Sequence, residues 1–161
     1  TSSYGQGSFD GPEDILDASH QVEFFDAALG FVPYEACGGI ATLEPIACEG
    51  CDGEAIARKL RDAVAPWLPK GKFVITLGGE HSSIVGAVQA HCEHFDDVTV
   101  LHFDAHTDLR PEYEGTPWNH ACAAARVRER EAARAETAPA RPARPVGPAT
   151  PRRLRSVGGE R

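Results

Sequence analysis

The stretch FVITLGGEHSSIVGAVQAHCEHFDDVTVLHFDAHTD, residues 73–108, contains two short, largely apolar runs at residues 73–77 and 98–103. Both runs are rich in β-branched residues, which is typical of strands buried on both faces of a parallel sheet. Between them, apolar residues recur at helical spacing over residues 81–95. A strand, a helix and a second strand form one right-handed crossover unit. The stretch therefore predicts an α/β fold in which helices cover a parallel sheet.

The segments outside this stretch add helices to the prediction. Residues 12–20 begin with a proline and two acidic residues, as helix N-termini often do. Residues 51–68 carry apolar side chains at helical spacing, and Asp52 is the predicted N-cap. A further helix is predicted near residues 119–130, whereas the Gly-, Cys- and Pro-rich segment 33–50 is predicted to be a loop.

Polar motifs directly follow the two predicted strands. The motif GGEH ends at His81 after the first run, and the motif DAHTD after the second run contains Asp104, His106 and Asp108. Open parallel sheets form their sites at the carboxyl ends of strands. The three DAHTD residues alternate and would share one face of an extended chain. His81 can join them because the preceding glycines leave the backbone free to turn.

These four side chains predict a metal site. Clustered carboxylates are costly unless a cation neutralises them. Aspartate oxygens and histidine nitrogens without a thiolate suit Mn²⁺ and, less selectively, Fe²⁺, Co²⁺ or Zn²⁺. A single Asp or His after a strand is usually a cap or turn residue, so the prediction depends on the pairing of the two motifs.

The two motifs carry a resemblance to a known family. GGEHS at residues 78–82 and HFDAHTD at residues 102–108 resemble the first two signatures of the ureohydrolase (arginase/agmatinase) family. Residues 109–115 and 119–122 resemble agmatinase more than arginase, and the N-terminal residues 1–23 also resemble agmatinases. The resemblance covers about residues 1–127. It implies the N-terminal half of an arginase-like, three-layer α/β/α domain with a parallel sheet.

The resemblance also implies a function. Members of the family are binuclear manganese hydrolases that cleave a guanidino group; for agmatine, the products are putrescine and urea. By resemblance, His81 and Asp108 bind one Mn²⁺, His106 binds the other, and Asp104 bridges the pair. His120 corresponds to a histidine that shuttles protons or contacts the substrate, and an ordinary loop histidine is the alternative. A cytoplasmic enzyme of polyamine biosynthesis, with a homo-oligomeric assembly, is the expectation that follows.

One family feature has no counterpart in the printed sequence. The family completes its metal site with a later Asp-x-Asp-x-x-Asp-Pro motif, whereas this sequence has no Asp after Asp108 and no His after His120. The fold and the site are therefore predicted to be incomplete, and full activity is not expected from this chain. A non-catalytic fragment or binding module of the same fold is the alternative. A zinc deacetylase of related fold fits the two motifs less well.

Charge divides the chain into two parts. Residues 1–125 contain 6 Lys and Arg against 20 Asp and Glu, a formal charge of −14, whereas residues 126–161 contain 10 Arg against 4 Glu, a formal charge of +6. An acidic body suits a small cationic guanidino substrate and argues against nucleic acid as a partner. Residues 128–161 are rich in Arg, Pro and Ala without apolar periodicity, which predicts a disordered low-complexity tail.

Hydropathy and cysteine content bear on membrane association and on the redox compartment of the protein. No apolar run approaches the roughly 20 residues that a membrane-spanning helix needs. The five cysteines are an odd number, which favours free thiols in a reducing cytosol. Cys48 and Cys51 form a lone C-x-x-C, for which incidental thiols are the main interpretation and a redox or zinc role is the alternative.

Overall fold

A computed structural model describes residues 7–129. Nearly all of the predicted disordered tail, residues 128–161, lies outside the described residues, and the proposed boundary at residue 127 stays a prediction. The α-helices are α1 (Gly11–Ser19), α2 (Pro33–Ala36), α3 (Gly53–Val64), α4 (Ile84–His94) and α5 (residues 123–129). Short 3₁₀ turns span Gly7–Phe9, Ala65–Lys70, His81–Ser83 and His120–Cys122.

The four longer helices were predicted from sequence and are confirmed, with small shifts at their ends. The Asp52 carboxylate accepts a hydrogen bond from the backbone N–H of Ala55 at 2.8 Å, so it caps α3 as predicted. The chain continues from α3 into the 3₁₀ segment Ala65–Lys70, which ends at Gly71 with a left-handed φ of 66°. The predicted loop 33–50 differs only in its start, where the short helix α2 forms.

The core lies between α3 and α4 and extends to the start of α5. Ala57, Val85 and Ala123 form one buried cluster, against which Trp118 packs. The helices approach closely at Gly86, which lies against the Ala57 carbonyl of α3. A side chain at this position would overlap that backbone, so the close packing of the two helices depends on a glycine there.

A second buried cluster extends the same interface. Val64 and Leu68 pack against Ala90 of α4, and Val74 lies against this cluster from the first predicted strand. Because α3 and α4 each bury one apolar stripe against the other, the pair forms a helical layer with its own core. We use the name helical layer for α3, α4 and α5 together with the 3₁₀ segment Ala65–Lys70.

The predicted parallel sheet is not confirmed. Residues 73–77 and 98–103 have no regular secondary structure, and within residues 7–129 the β-bridges are isolated ones, Asp26 with Phe31 and Tyr113 with Thr116. Residues 73–77 do alternate, because Val74 and Thr76 are half-buried while the residues beside them are exposed. The run does not form a sheet strand because strands gain stability from neighbouring strands and from cover on both faces, whereas residues 73–77 are covered on one face only.

The second run is still more open. Leu101 is 76% exposed and Phe103 is 87% exposed, although the sequence pattern predicts that both are buried. We use the name extended runs for residues 73–77 and 98–103.

No helix within residues 7–129 has the length and apolar character required to cross a membrane.

Candidate metal centre

His81 lies in a capped turn between the first extended run and α4. The carboxylate of Glu80 accepts a hydrogen bond from the backbone N–H of Ser82 at 2.8 Å and another from the Ser82 hydroxyl. These bonds fix the 3₁₀ turn His81–Ser83 at the N-terminal end of α4. Glu80 is therefore the N-cap of this turn.

Gly79 has a different role from the one expected. Neither Gly78 nor Gly79 adopts a positive φ, so the turn does not require glycine's conformational freedom. A Cβ at Gly79 would instead overlap the backbone of Ser8 and Phe9, which pass directly beside it. The glycine therefore permits a close approach of two backbone segments next to His81.

Asp104 and Asp108 lie in a loop that bends sharply. The carboxylate Oδ1 of Asp104 accepts a hydrogen bond from the backbone N–H of His106 at 2.7 Å, and the chain bends at residues 105–106. Asp108 has a positive φ of 48°, which aspartate tolerates better than most residues. Its carbonyl accepts a hydrogen bond from the backbone N–H of Ala125 at 3.1 Å, which ties the loop to α5.

Four side chains converge at this point: His81, His102, Asp104 and Asp108. One donor atom from each lies within 4.8 Å of all the others. Nδ1 of His81 lies 2.5 Å from Oδ2 of Asp108 and 3.3 Å from Oδ2 of Asp104. Nε2 of His102 lies 3.7 Å from the same oxygen of Asp104. We call these four residues the His/Asp group.

The group concentrates negative charge in a partly shielded place. The side chain of Asp108 is 7% exposed and that of Asp104 is 23% exposed. The backbone N–H of His106 holds the pKa of Asp104 below its ordinary value, and His81 and His102 act in the same direction. Asp104 therefore stays ionised near neutral pH. Two carboxyl groups beside two imidazoles are a combination that favours a bound cation.

The geometry fits a divalent cation. Two atoms that bind one ion at about 2.1 Å lie about 3.0–3.4 Å apart in octahedral or tetrahedral coordination. The separations of 3.3 and 3.7 Å around Asp104 Oδ2 are close to this range. The 2.5 Å separation between His81 and Asp108 is a hydrogen-bond distance, so these two atoms must move apart slightly to share an ion. Neither Cys48 nor Cys51 belongs to the His/Asp group, and all five cysteines are free.

Two predicted site residues lie outside the His/Asp group. His106 has a side chain that is 82% exposed, and its Nδ1 lies 3.3 Å from Oδ1 of Asp104, on the other oxygen of that carboxylate. His120 faces Glu80, with 3.7 Å between Nδ1 and Oε1, and contacts the ring of Tyr113 edge-on at 6.0 Å between centroids. The structure thus brings together three of the four predicted metal ligands and places His106 at the edge of the cluster.

His102 is the member of the group that the sequence reasoning missed. It lies two residues before Asp104, so the alternation that selected Asp104, His106 and Asp108 also places His102 on their face. That signal was present in the sequence. The same alternation does not bring His106 into the group, because the bend at residues 105–106 ends the extended chain.

A model of the arginase family matches residues 1–146, which is most of the chain. This chain belongs to the arginase family. The predicted resemblance to ureohydrolases is therefore confirmed. An N(1)-aminopropylagmatine ureohydrolase of Synechocystis sp. is 40% identical over 134 residues, which cover 80% of this chain and 44% of that relative.

Other arginase-family relatives have a similar degree of likeness. An N(1)-aminopropylagmatine ureohydrolase of Thermus thermophilus is 41% identical over 119 residues, covering 74% of this chain and 40% of that protein. An agmatinase of Bacillus anthracis is 35% identical over 124 residues, covering 74% of this chain and 41% of that protein. The chain thus spans 40–44% of the length of these relatives.

A solved structure supports the fold assignment. The crystal structure of agmatine ureohydrolase of Thermoplasma volcanium aligns with a TM-score of 0.71 at 36% identity, covering 80% of this chain and 42% of that one. The path of this arginase-family chain is therefore arginase-like, even though its extended runs do not pair into a sheet.

Proposed function

We propose that this chain supplies the first half of the metal centre of a ureohydrolase that cleaves the guanidino group of agmatine or of an N-substituted agmatine. The observation that carries the proposal is the convergence of His81, Asp104 and Asp108 in a chain of the arginase family. Urea and an amine, putrescine in the case of agmatine, would be the products.

The substrate class follows from charge and from the relatives. A guanidinium is cationic at neutral pH, and residues 1–125 carry a formal charge of −14, which attracts a small cation. The relatives are named N(1)-aminopropylagmatine ureohydrolase and agmatinase. Agmatine and its aminopropyl derivative are therefore the two substrates to compare. The second is supported by the relatives of Synechocystis sp. and Thermus thermophilus, which are 40% and 41% identical to this chain, against 35% for the agmatinase of Bacillus anthracis.

The proposed roles of the residues follow from their positions. His81, Asp104 and Asp108 would hold one Mn²⁺, and Asp104 and His106 would hold the other. When bound, such ions lower the pKa of water enough to supply hydroxide near neutral pH. His120 would donate a proton to the leaving amine. The Glu80 carboxylate lies 3.7 Å from its Nδ1, a position from which it would orient the ring.

The test joins residues 1–127 of this chain to the part of the Thermus thermophilus relative that lies beyond the matched region. With Mn²⁺, we expect this chimaera to release urea from agmatine or N(1)-aminopropylagmatine and not from arginine. The variant Asp104→Asn should lose more than about a hundredfold in rate, because even partners outside the ligand shell are worth 10- to 100-fold. His94→Gln is the matched control, since His94 lies outside the His/Asp group, and it should keep the parent rate.

The outcomes separate function from folding. A chimaera that is folded by circular dichroism and binds Mn²⁺, but releases no urea from any guanidine, would contradict the proposed reaction. The 161-residue chain assayed alone is expected to release little or no urea. Robust turnover by this chain would overturn the expectation that further carboxylates are required. We also propose a cytoplasmic role in polyamine synthesis and a homo-oligomeric assembly.

A further inference from the structure

We propose that His102 is a direct metal ligand in this chain, through Nε2, together with His81, Asp104 and Asp108. The resemblance to ureohydrolases assigns no role to His102 and gives His106 a ligand position instead. The inference rests on the proposed metal-dependent function but adds a residue that this function does not assign.

His81 and His102 lie on either side of one oxygen atom, Oδ2 of Asp104. Nδ1 of His81 lies 3.3 Å and Nε2 of His102 lies 3.7 Å from Oδ2 of Asp104. Both separations are longer than a good nitrogen–oxygen hydrogen bond. They are close to the spacing of about 3.0–3.4 Å between neighbouring donors on one divalent ion. A cation that binds Oδ2 is therefore within reach of both imidazoles.

The rings of the two histidines lie against each other. The imidazoles of His81 and His102 lie 5.1 Å apart between centroids and are tilted by 37°. Their side chains are 23% and 29% exposed, so both are partly shielded from water yet accessible to an ion. The contact orients His102 relative to His81, which reduces the entropy that ligand binding must fix.

His106 lies on the other oxygen of the same carboxylate. Its Nδ1 faces Oδ1 of Asp104 at 3.3 Å, and its side chain is 82% exposed. The two oxygens of Asp104 therefore define two cation positions. His81, His102 and Asp108 surround the Oδ2 position. At the Oδ1 position, within the part of the chain that the structure describes, the neighbouring histidine is His106. The Oδ2 position should fill first, without a contribution from His106.

The test measures Mn²⁺ binding by the 161-residue chain, with Mn²⁺ as the only added metal. Electron paramagnetic resonance of free Mn²⁺ gives the affinity, and electron spin echo modulation counts the imidazole nitrogens on the bound ion. The parent should show two nitrogens. His102→Ala should leave one and weaken binding by about tenfold or more. His106→Ala should keep two nitrogens and change the affinity by less than about threefold.

His20→Ala is the matched control, because His20 is exposed at the end of α1 and lies outside the His/Asp group. Circular dichroism checks that each variant keeps the parent helix content. If His106→Ala loses a nitrogen and His102→Ala does not, the proposal is overturned. If His102→Ala weakens binding with two nitrogens retained, His102 only positions Asp104, and the ligand assignment is wrong. If the parent binds no Mn²⁺, this inference fails, whereas the proposed function still stands or falls with urea release by the chimaera.

Discussion

Helix α4 of the helical layer and the two extended runs come from the same stretch of sequence, residues 73–108, yet they reach opposite degrees of burial. Val85 of α4 is fully buried, whereas Phe73 and Phe103 of the extended runs are 91% and 87% exposed. A helix satisfies its backbone hydrogen bonds internally and needs cover along one stripe only. A central strand needs a neighbour on each edge and cover on each face. The difference shows that α3 and α4 complete each other, while the extended runs depend on partners that residues 7–129 do not provide.

The comparison also explains why the His/Asp group forms without a sheet. His81 is fixed by the capped turn at the start of α4, and Asp108 is tied to α5 through the backbone N–H of Ala125. Two of the four donors are thus positioned by the helical layer. His102 lies in the second extended run and Asp104 directly follows it, so both depend more on the path of that run.

The largest expected effect is at the contact between α3 and α4. Gly86→Val should lower the free energy of unfolding by about 3 kcal/mol, the upper end for overpacking, because the obstacle is the backbone carbonyl of Ala57. Urea unfolding followed by circular dichroism measures this. Gly11→Ala is the control, since a Cβ there meets nothing within 4 Å. If Gly86→Val unfolds at the urea concentration of the parent, the helices do not pack as described.

A single substitution made in both regions sharpens the comparison. Leu68 is 4% exposed and Leu101 is 76% exposed. Leu68→Ala should cost about 2–3 kcal/mol, because it removes buried methyl groups and leaves a cavity. Leu101→Ala should change stability by less than about 0.5 kcal/mol, as exposed positions usually do. Equal losses in the two variants would mean that the second extended run is buried in solution.

A smaller effect is expected at the start of α3. Asp52→Ala removes the carboxylate that accepts from Ala55 and should cost about 1 kcal/mol. Asp52→Asn keeps an oxygen acceptor and should cost less, which separates the cap from its charge. The difference between the two midpoints in urea tests whether the helical layer depends on its own local capping. A loss of the same size in both variants would assign the effect to charge instead.

The helices were predictable because their signals are local. Asp52, the spacing of Leu60 and Val64, and Gly71 all act within a few residues of the helix they delimit. The extended runs were predicted as strands from composition. Composition indicates that Phe73 and Phe103 are suited to burial in a sheet. Whether neighbouring strands bury them depends on distant parts of the chain.

The site was predictable in part for the same reason. Asp104, Asp108 and His81 follow from two short motifs, and alternation along the chain also pointed to His102. The displacement of His106 was not predictable, because it results from the bend that the Asp104 carboxylate stabilises by accepting from the His106 backbone. No spacing rule contains that hydrogen bond. The close approach of Ser8 to Gly79 also joins distant parts of the chain. The sequence alone had instead suggested that this glycine lets the backbone turn.

The smallest effect on stability is expected at Phe73, and its neighbour Val74 makes the comparison within a single run. Phe73 is 91% exposed, whereas Val74 packs against the cluster of Val64, Leu68 and Ala90. Phe73→Ser should change the free energy of unfolding by less than about 0.5 kcal/mol, while Val74→Ser should cost about 1–2 kcal/mol, because a hydroxyl replaces apolar contacts. Phe73→Ser should also reduce self-association in analytical ultracentrifugation, since exposed apolar residues on an unpaired run promote it. If Phe73→Ser destabilises the chain as much as Val74→Ser does, both faces of the run are covered in solution, and the contrast between the two regions disappears.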